Sequence, residues 1–150
     1  MAHVEGSIDV NRDITTVYDQ WAQFESFPQF MDGVDAVTQL DEIHLHWVAD
    51  VAGRTREWNA EIVQQIPDTR ISWSGVGGVA GGGTVTLAPI GSNQTRVTLR
   101  RDYRPEDWFE RTGEALGLVR EQIRKDLEGF KRMIESGGQA SDERRGRIAS

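Results

Sequence analysis

The chain has no cysteine. Disulfides, thiolate nucleophiles and thiolate metal sites are thereby excluded, and the composition fits a reducing compartment such as the cytoplasm. No apolar run approaches the ~18 residues of a membrane span. The N-terminal stretch shows no basic segment leading into an apolar block, so no secretory leader is expected. Excess positive charge is missing too: the formal net charge is -7. Phosphate binding depends on clustered Lys and Arg, so nucleic acid is not expected as a partner.

Histidine is limited to His3, His44 and His46. There is no Ser-His-Asp constellation and no inward pair of carboxylates, so hydrolase chemistry has no footing. His44 and His46 share one strand face with Asp50 further along it. Such a pair chelates zinc only with a third ligand and an open position. A solvated outer face is the expectation, with neither metal nor cofactor.

What is present is enough for one core. A chain of 150 residues with 37% hydrophobic and 27% charged residues is the size and composition of a single soluble domain. The folded unit is expected over residues 1–136. Residues 137–150 read as a disordered tail, because Arg144, Arg145 and Arg147 are interleaved with Asp142 and Glu143 and no apolar stripe accompanies them.

Residues 3–10 alternate, with Val4, Ile8 and Val10 on one face, and predict a first strand. Asp13 can cap a helix in which Ile14, Val17, Tyr18 and Trp21 recur at helical spacing. A second short helix or turn carries Phe24, Phe27, Phe30 and Met31 around Pro28. Strands are then predicted over 34–40, 44–51, 54–65, 70–74, 83–89 and 94–103, joined by short turns, so that neighbours pair antiparallel. The chain closes with one long amphipathic helix over 105–136. Its apolar stripe is Phe109, Leu116, Val119, Ile123, Leu127, Phe130 and Ile134, with charged residues assigned to the other face. A single stripe must be buried, and the sheet is the only large partner. The class is α+β in the order β-α-α-β6-α.

Three stretches carry a family resemblance: Val17-Tyr18 to Trp21 running into 24–31; Arg56-Glu57-Trp58-Asn59-Ala60-Glu61-Ile62 with Pro67 and Arg70-Ile71-Ser72-Trp73; and Thr95-Arg96-Val97-Thr98-Leu99 leading to Tyr103 and Pro105. The chain resembles, over roughly residues 3–136, the START and birch-allergen-like (SRPBCC) superfamily in its polyketide cyclase/dehydrase and coenzyme Q-binding branch. The resemblance implies a helix-grip fold, a curved antiparallel sheet wrapped around the C-terminal helix with a hollow between them. Such ligand cavities span roughly 300–1,000 Å³. Two positions depart from the pattern: Ile14, where many relatives have proline, and Arg101, where an apolar residue is expected.

Strand parity assigns the concave face. Ile43, Leu45, Trp47, Ala49 and Val51 share one side of their strand, followed by Trp58, Ala60 and Ile62, Ile71 and Trp73, Val85 and Leu87, and Val97, Leu99, Arg101 and Tyr103. Three tryptophans and a tyrosine on one concave surface form either a dense aromatic core or the wall of a ligand pocket. Gly113 and Gly117 sit near the helix stripe, where each costs roughly 0.8–1.0 kcal/mol relative to alanine. Close packing or room for a ligand would each explain them.

Arg101 and Arg56 have inward parity. Either a bulge or a snorkelling stem takes each outward, or each needs a partner inside, since an unpaired buried charge costs several kcal/mol. No acidic residue of inward parity stands on the neighbouring strands. Water, backbone carbonyls or a ligand oxygen are the remaining partners. The glycine-rich segment 75–83 formally contains G-x-G-x-x-A but continues into strand-like Thr84-Val85-Thr86-Leu87, so it reads as a hairpin loop gating the pocket.

Three functions stay open. The first is binding of an apolar small molecule, polyketide, quinone or lipid-like, by Trp47, Arg56, Trp58, Trp73, Leu99, Arg101, Tyr103, Gly113, Leu116 and Gly117. The second is a polyketide cyclase or aromatase-type dehydratase in the same cavity, with Arg101 and Tyr103 catalytic. The third is a protein-interaction module with a vestigial cavity. Monomer and homodimer are both compatible with the sequence.

Overall fold

A computed structural model describes residues 2–51, 54–76, 82–103 and 113–136. The elements are β1 (Ala2–Val10), α1 (Ile14–Trp21), a 3-10 helix (Phe24–Gln29), β2 (Val34–Gln39), β3 (His44–Val51), β4 (Arg54–Ile66), β5 (Arg70–Gly75), β6 (Gly83–Gly91), β7 (Gln94–Tyr103) and α2 (Gly113–Ser136). The strands form one seven-stranded antiparallel sheet in the order β1-β7-β6-β5-β4-β3-β2. Consecutive strands from β2 to β7 are neighbours. Only β1 joins out of sequence, beside β7. This curled sheet with its C-terminal helix is the helix-grip architecture.

Helix α1 starts where Asp13, in extended conformation, accepts a hydrogen bond from the Thr16 backbone N–H. The phenylalanine-rich stretch after it forms the 3-10 helix around Pro28, and its rings close one end of the sheet. Helix α2 lies mainly on β1 and less on β7. It approaches β1 at Gly6, where an added Cβ would stand 3.1 Å from Ile123 Cγ2. It meets the chain after the 3-10 helix at Gly129, where a Cβ would stand 2.6 Å from the Phe30 carbonyl oxygen. Both glycines set how closely α2 can seat.

Parity holds along the concave face. Leu45, Trp47, Ala49, Trp58, Ala60, Ile62, Ile71, Trp73, Val85, Leu87, Val97 and Leu99 are all buried. Among the described apolar residues of that face Ile43 is the exception, at 45% exposed, and the Val51 side chain lies outside the described ones. Asp41 accepts from the backbone N–H groups of both Ile43 and His44, at 2.9 and 2.8 Å, so residue 43 sits in a bend before β3 and alternation does not reach it. On α2, Ile123, Leu127, Phe130 and Ile134 are buried and Val119 is half-buried. The stripe also holds one charge: Asp126 is 1% exposed. The expectation that charged residues keep to the outer face is corrected here. The tail 137–150, Phe109 and the segment 105–112 proposed as the helix start lie outside the described residues, as do the side chains of Tyr103, Gly113 and Leu116.

Candidate functional site

The concave wall is built from β3, β4 and β5. Trp47 and Trp58 stand opposite each other on the β3–β4 ladder and stack, with centroids 5.7 Å apart and planes 8° apart. Trp47 also stacks on Trp73 of β5, at 5.7 Å and 21°. Ala60, buried on the intervening strand, presents only a methyl group between them. Phe27 of the 3-10 helix packs on both Trp47 and Trp73, at 5.6 and 6.0 Å, and continues through Trp21 to Phe130 of α2. The wall is thus anchored at one end by a packed aromatic core.

One inward row crosses the sheet from this wall to a charge. Trp73 pairs with Gly83, Gly83 with Arg101, and Arg101 with Val4. A Cβ at Gly83 would stand 2.7 Å from Trp73 Cζ2, so the indole lies over that glycine. The missing side chain on β6 leaves the row open between Trp73 and the β7 position of Arg101.

Arg101 does point inward: its side chain is 14% exposed. Its partner comes from the helix rather than from the sheet. Arg101 Nη1 faces Asp126 Oδ2 at 3.8 Å, an ion-pair distance too long for a hydrogen bond. Arg101 Nε is buried without a hydrogen-bond partner among the described residues. Burial pushes the guanidinium below its ordinary value, opposed by the charges of Asp126 and Asp102. Asp126 Oδ1 accepts from Gln122 Nε2 at 2.8 Å, and the carboxylate also accepts from the Asp32 backbone N–H. Burial raises the Asp126 carboxyl to about 6, while Arg101, Gln122 and the Asp32 N–H hold it from rising further. A carboxyl in that range exchanges protons near neutrality, and a guanidinium beside it can hold an oxygen.

Sequence reasoning missed Asp126. The signal was present: it lies three residues after Ile123 and four before Phe130, inside the apolar stripe. The other expected residues divide. Trp47, Trp58, Trp73 and Leu99 are buried on the concave face. Arg56 is half-buried two residues before Trp58, opposite Ala49. Gly117 is exposed, and no described residue lies within 4 Å of where its Cβ would be, so close packing among the described residues does not explain it. Of the glycine loop, residues 77–81 lie outside the described residues.

Trp47 Nε1 and Trp21 Nε1 are also buried without acceptors among the described residues. His44 and His46 lie on the outer face, engaged by Asp41 and by Asn59 and Glu57. No group of three metal-ligating side chains occurs among the described residues. Nor is any described helix long and apolar enough to cross a membrane. A separate groove of about 570 Å³ flanks α2 on the outside, where Lys125 and Arg132 alternate with Asp32 and Glu128; it has no aromatic wall of this kind.

Residues 10–132 match the family described as polyketide cyclase / dehydrase and lipid transport. An uncharacterized 17.2 kDa protein of Streptomyces lincolnensis is 44% identical over 149 residues, 99% of each chain. Among solved structures, a Deinococcus radiodurans protein superposes with TM-score 0.73 at 26% identity, covering 91% of this chain and 99% of that one. A START superfamily protein of Mycobacterium smegmatis gives 0.71 at 15% identity, covering 88% and 98%. The Zhui aromatase/cyclase of a Streptomyces species gives 0.70 at 16% identity, covering 91% and 98%. The last two likenesses concern the fold.

Proposed function

Because the chain belongs to the polyketide cyclase / dehydrase and lipid transport family, we propose that it holds a largely apolar small molecule between the concave sheet face and α2. The ligand class is polyketide, quinone or lipid-like, with an oxygen acceptor at one end. Trp47, Trp58, Trp73 and Leu99 supply stacking and apolar contact. Arg101 orients the oxygen, with Arg56 as a second cation. Tyr103, Gly113, Leu116 and Gly117, expected from the sequence as further contacts, belong to the same proposal.

The observation that supports this reading is Arg101 itself. A guanidinium withdrawn from water keeps a buried donor without an acceptor among the described residues and stands 3.8 Å from its carboxylate. A chain selected for packing alone gains little from such a pair, since hydrophobic residues in place of both members of a buried ion pair are often neutral or stabilising. Tryptophan fluorescence titration with quinones, polyphenolic ketones and fatty acids tests the proposal. Saturable quenching by at least one class, weakened about tenfold or more in Arg101→Gln, is expected; no response from any class contradicts it.

A second reading, a cyclase or dehydratase in the same site, is favoured by one observation: a carboxyl near 6 beside the guanidinium. In it the Asp126 carboxylate removes a proton from the carbon next to a ketone whose oxygen Arg101 holds. The enolate carbon attacks a second carbonyl, and the protonated Asp126 returns its proton to the alkoxide to give a hydroxyl; Asp126 then removes the remaining α-proton and delivers it to that hydroxyl, which leaves as water as the carbon–carbon double bond forms. Tyr103 would add a second donor. Turnover of a poly-ketone that is lost in Asp126→Asn while binding persists is the expected result; turnover unchanged in that variant contradicts it.

A further inference from the structure

We propose that the interior site takes an organic anion, a carboxylate or enolate on an apolar body, and that Asp126 yields Arg101 to it by taking up one proton. The inference rests on the reading of the interior as an apolar ligand site and narrows it to a charge class.

A guanidinium carries five N–H donors in a planar fork suited to two oxygens of one ligand. Among the described residues Arg101 Nε has no hydrogen-bond partner, and the nearest carboxylate oxygen is beyond hydrogen-bond distance from Nη1. Asp126 is not positioned to satisfy that fork, because its carboxylate is drawn the other way. Gln122 Nε2 holds Oδ1 at 2.8 Å, and the Asp32 backbone N–H donates as well. Both donors favour the charged carboxylate but can still bond the carbonyl oxygen of a neutral carboxyl group, so protonation leaves the side chain in place. The Gln122 side chain is itself seated, its Cδ lying 3.6 Å from where a Gly33 Cβ would be.

Charge balance supplies the second step. With Arg101 and Asp126 both ionised the buried pair is neutral, and an entering anion would leave a net negative charge in a low-dielectric space. Among the described residues, the charged groups bearing on Asp126 are Arg101 from β7 and Asp32 from the segment preceding β2, and Asp102 bears on Arg101. Asp32 and Asp102 add negative charge, so neither offsets the newcomer. Asp126, whose carboxyl burial already raises to about 6, is the group that neutralises most readily. With it protonated, the ligand's oxygens replace its own beside Arg101 and the site is neutral again. A neutral ligand triggers no such exchange.

The test uses naphthalene-2-carboxylate and its neutral isostere naphthalene-2-carboxamide, titrated calorimetrically into the full chain between about pH 6 and 8 in buffers of differing ionisation enthalpy. The carboxylate should bind at least about tenfold tighter than the amide at the lower pH. It should take up close to one proton above Asp126's titration range, and weaken about tenfold per pH unit there, as linkage to a single proton requires. In Asp126→Asn the carboxylate should bind without that dependence. The wild-type proton uptake stands alone if the variant fails to fold. Equal affinity for the two probes, or carboxylate binding without proton uptake, overturns this inference and leaves the ligand-site reading standing. Failure of both probes contradicts that reading and the inference with it.

Discussion

Arg101 of β7 and Asp126 of α2 face each other across the sheet–helix interface at 3.8 Å, with Asp126 1% exposed and the Arg101 side chain 14%. The pair is close enough to balance charge and too loose to satisfy either group. One row along the sheet connects it through Gly83 to Trp73 and the stacked tryptophans. The candidate site is this junction of an aromatic wall with an under-satisfied charge.

Asp126 makes stability pH-dependent with a definite sign. Its carboxyl stands at about 6 in the fold against an ordinary 3.8, so the folded state binds the proton more tightly than the unfolded chain. Its contribution is fully present below about pH 4 and is lost as the pH rises through 6, on the order of 3 kcal/mol. Urea midpoints of wild type and Asp126→Asn measured across that window should diverge in slope. Parallel profiles would show that Asp126 does not titrate as described.

Removing the cation has the complementary effect. Arg101→Met leaves an ionised carboxylate buried without its counter-charge, which should cost about 3–5 kcal/mol at pH near 7.5. Near pH 5 Asp126 is protonated and most of that cost should vanish. Thermal melts of the variant at the two pH values report it. An equal loss at both would mean that Arg101 matters for packing alone.

How much of this was legible in the sequence depended on periodicity. Alternation placed Leu45, Trp47, Trp58, Trp73, Val97 and Leu99 on the concave face, and each is buried. It failed at Ile43, where the hydrogen bonds of Asp41 impose a bend that a two-residue period does not register. Arg101 was readable as inward, yet its partner was sought only on adjacent strands. Asp126 was passed over because a stripe read by apolar residues gives no place to a carboxylate within it. Sheet curvature brings β7 under the middle of α2, and that is tertiary information. The stacking of Trp47 on Trp73 across β4 belongs to the same kind: parity gives a shared face but not which side chains reach over a small neighbour.

Two glycines of α2 should respond oppositely to alanine. At Gly129 the new methyl meets the Phe30 carbonyl oxygen at 2.6 Å, and the helix must shift; a loss of about 1–3 kcal/mol is expected. At Gly117 no described residue lies within 4 Å. The helix gains the propensity difference there, about 0.8–1.0 kcal/mol. In a domain of this size each kcal/mol moves Tm by roughly 2–4 °C, so calorimetry should show a fall for Gly129→Ala and a rise for Gly117→Ala. A rise for both would contradict the close approach at Phe30.

Gly83→Ala tests the aromatic junction. Its Cβ would stand 2.7 Å from Trp73 Cζ2, so the indole must leave its place over β6. The stacked Trp47–Trp73 pair should lose its near-ultraviolet circular dichroism signature, and ligand affinity should fall about tenfold or more. An unchanged spectrum would mean that the ring has room elsewhere.

The most direct test of a ligand-holding interior is native mass spectrometry of the protein purified from its own cells, compared with its denatured mass. An added mass that disappears on denaturation is the predicted result, and its value would identify the class of molecule. Equal masses, together with no tryptophan response to any of the quinones, polyphenolic ketones and fatty acids, would contradict the account.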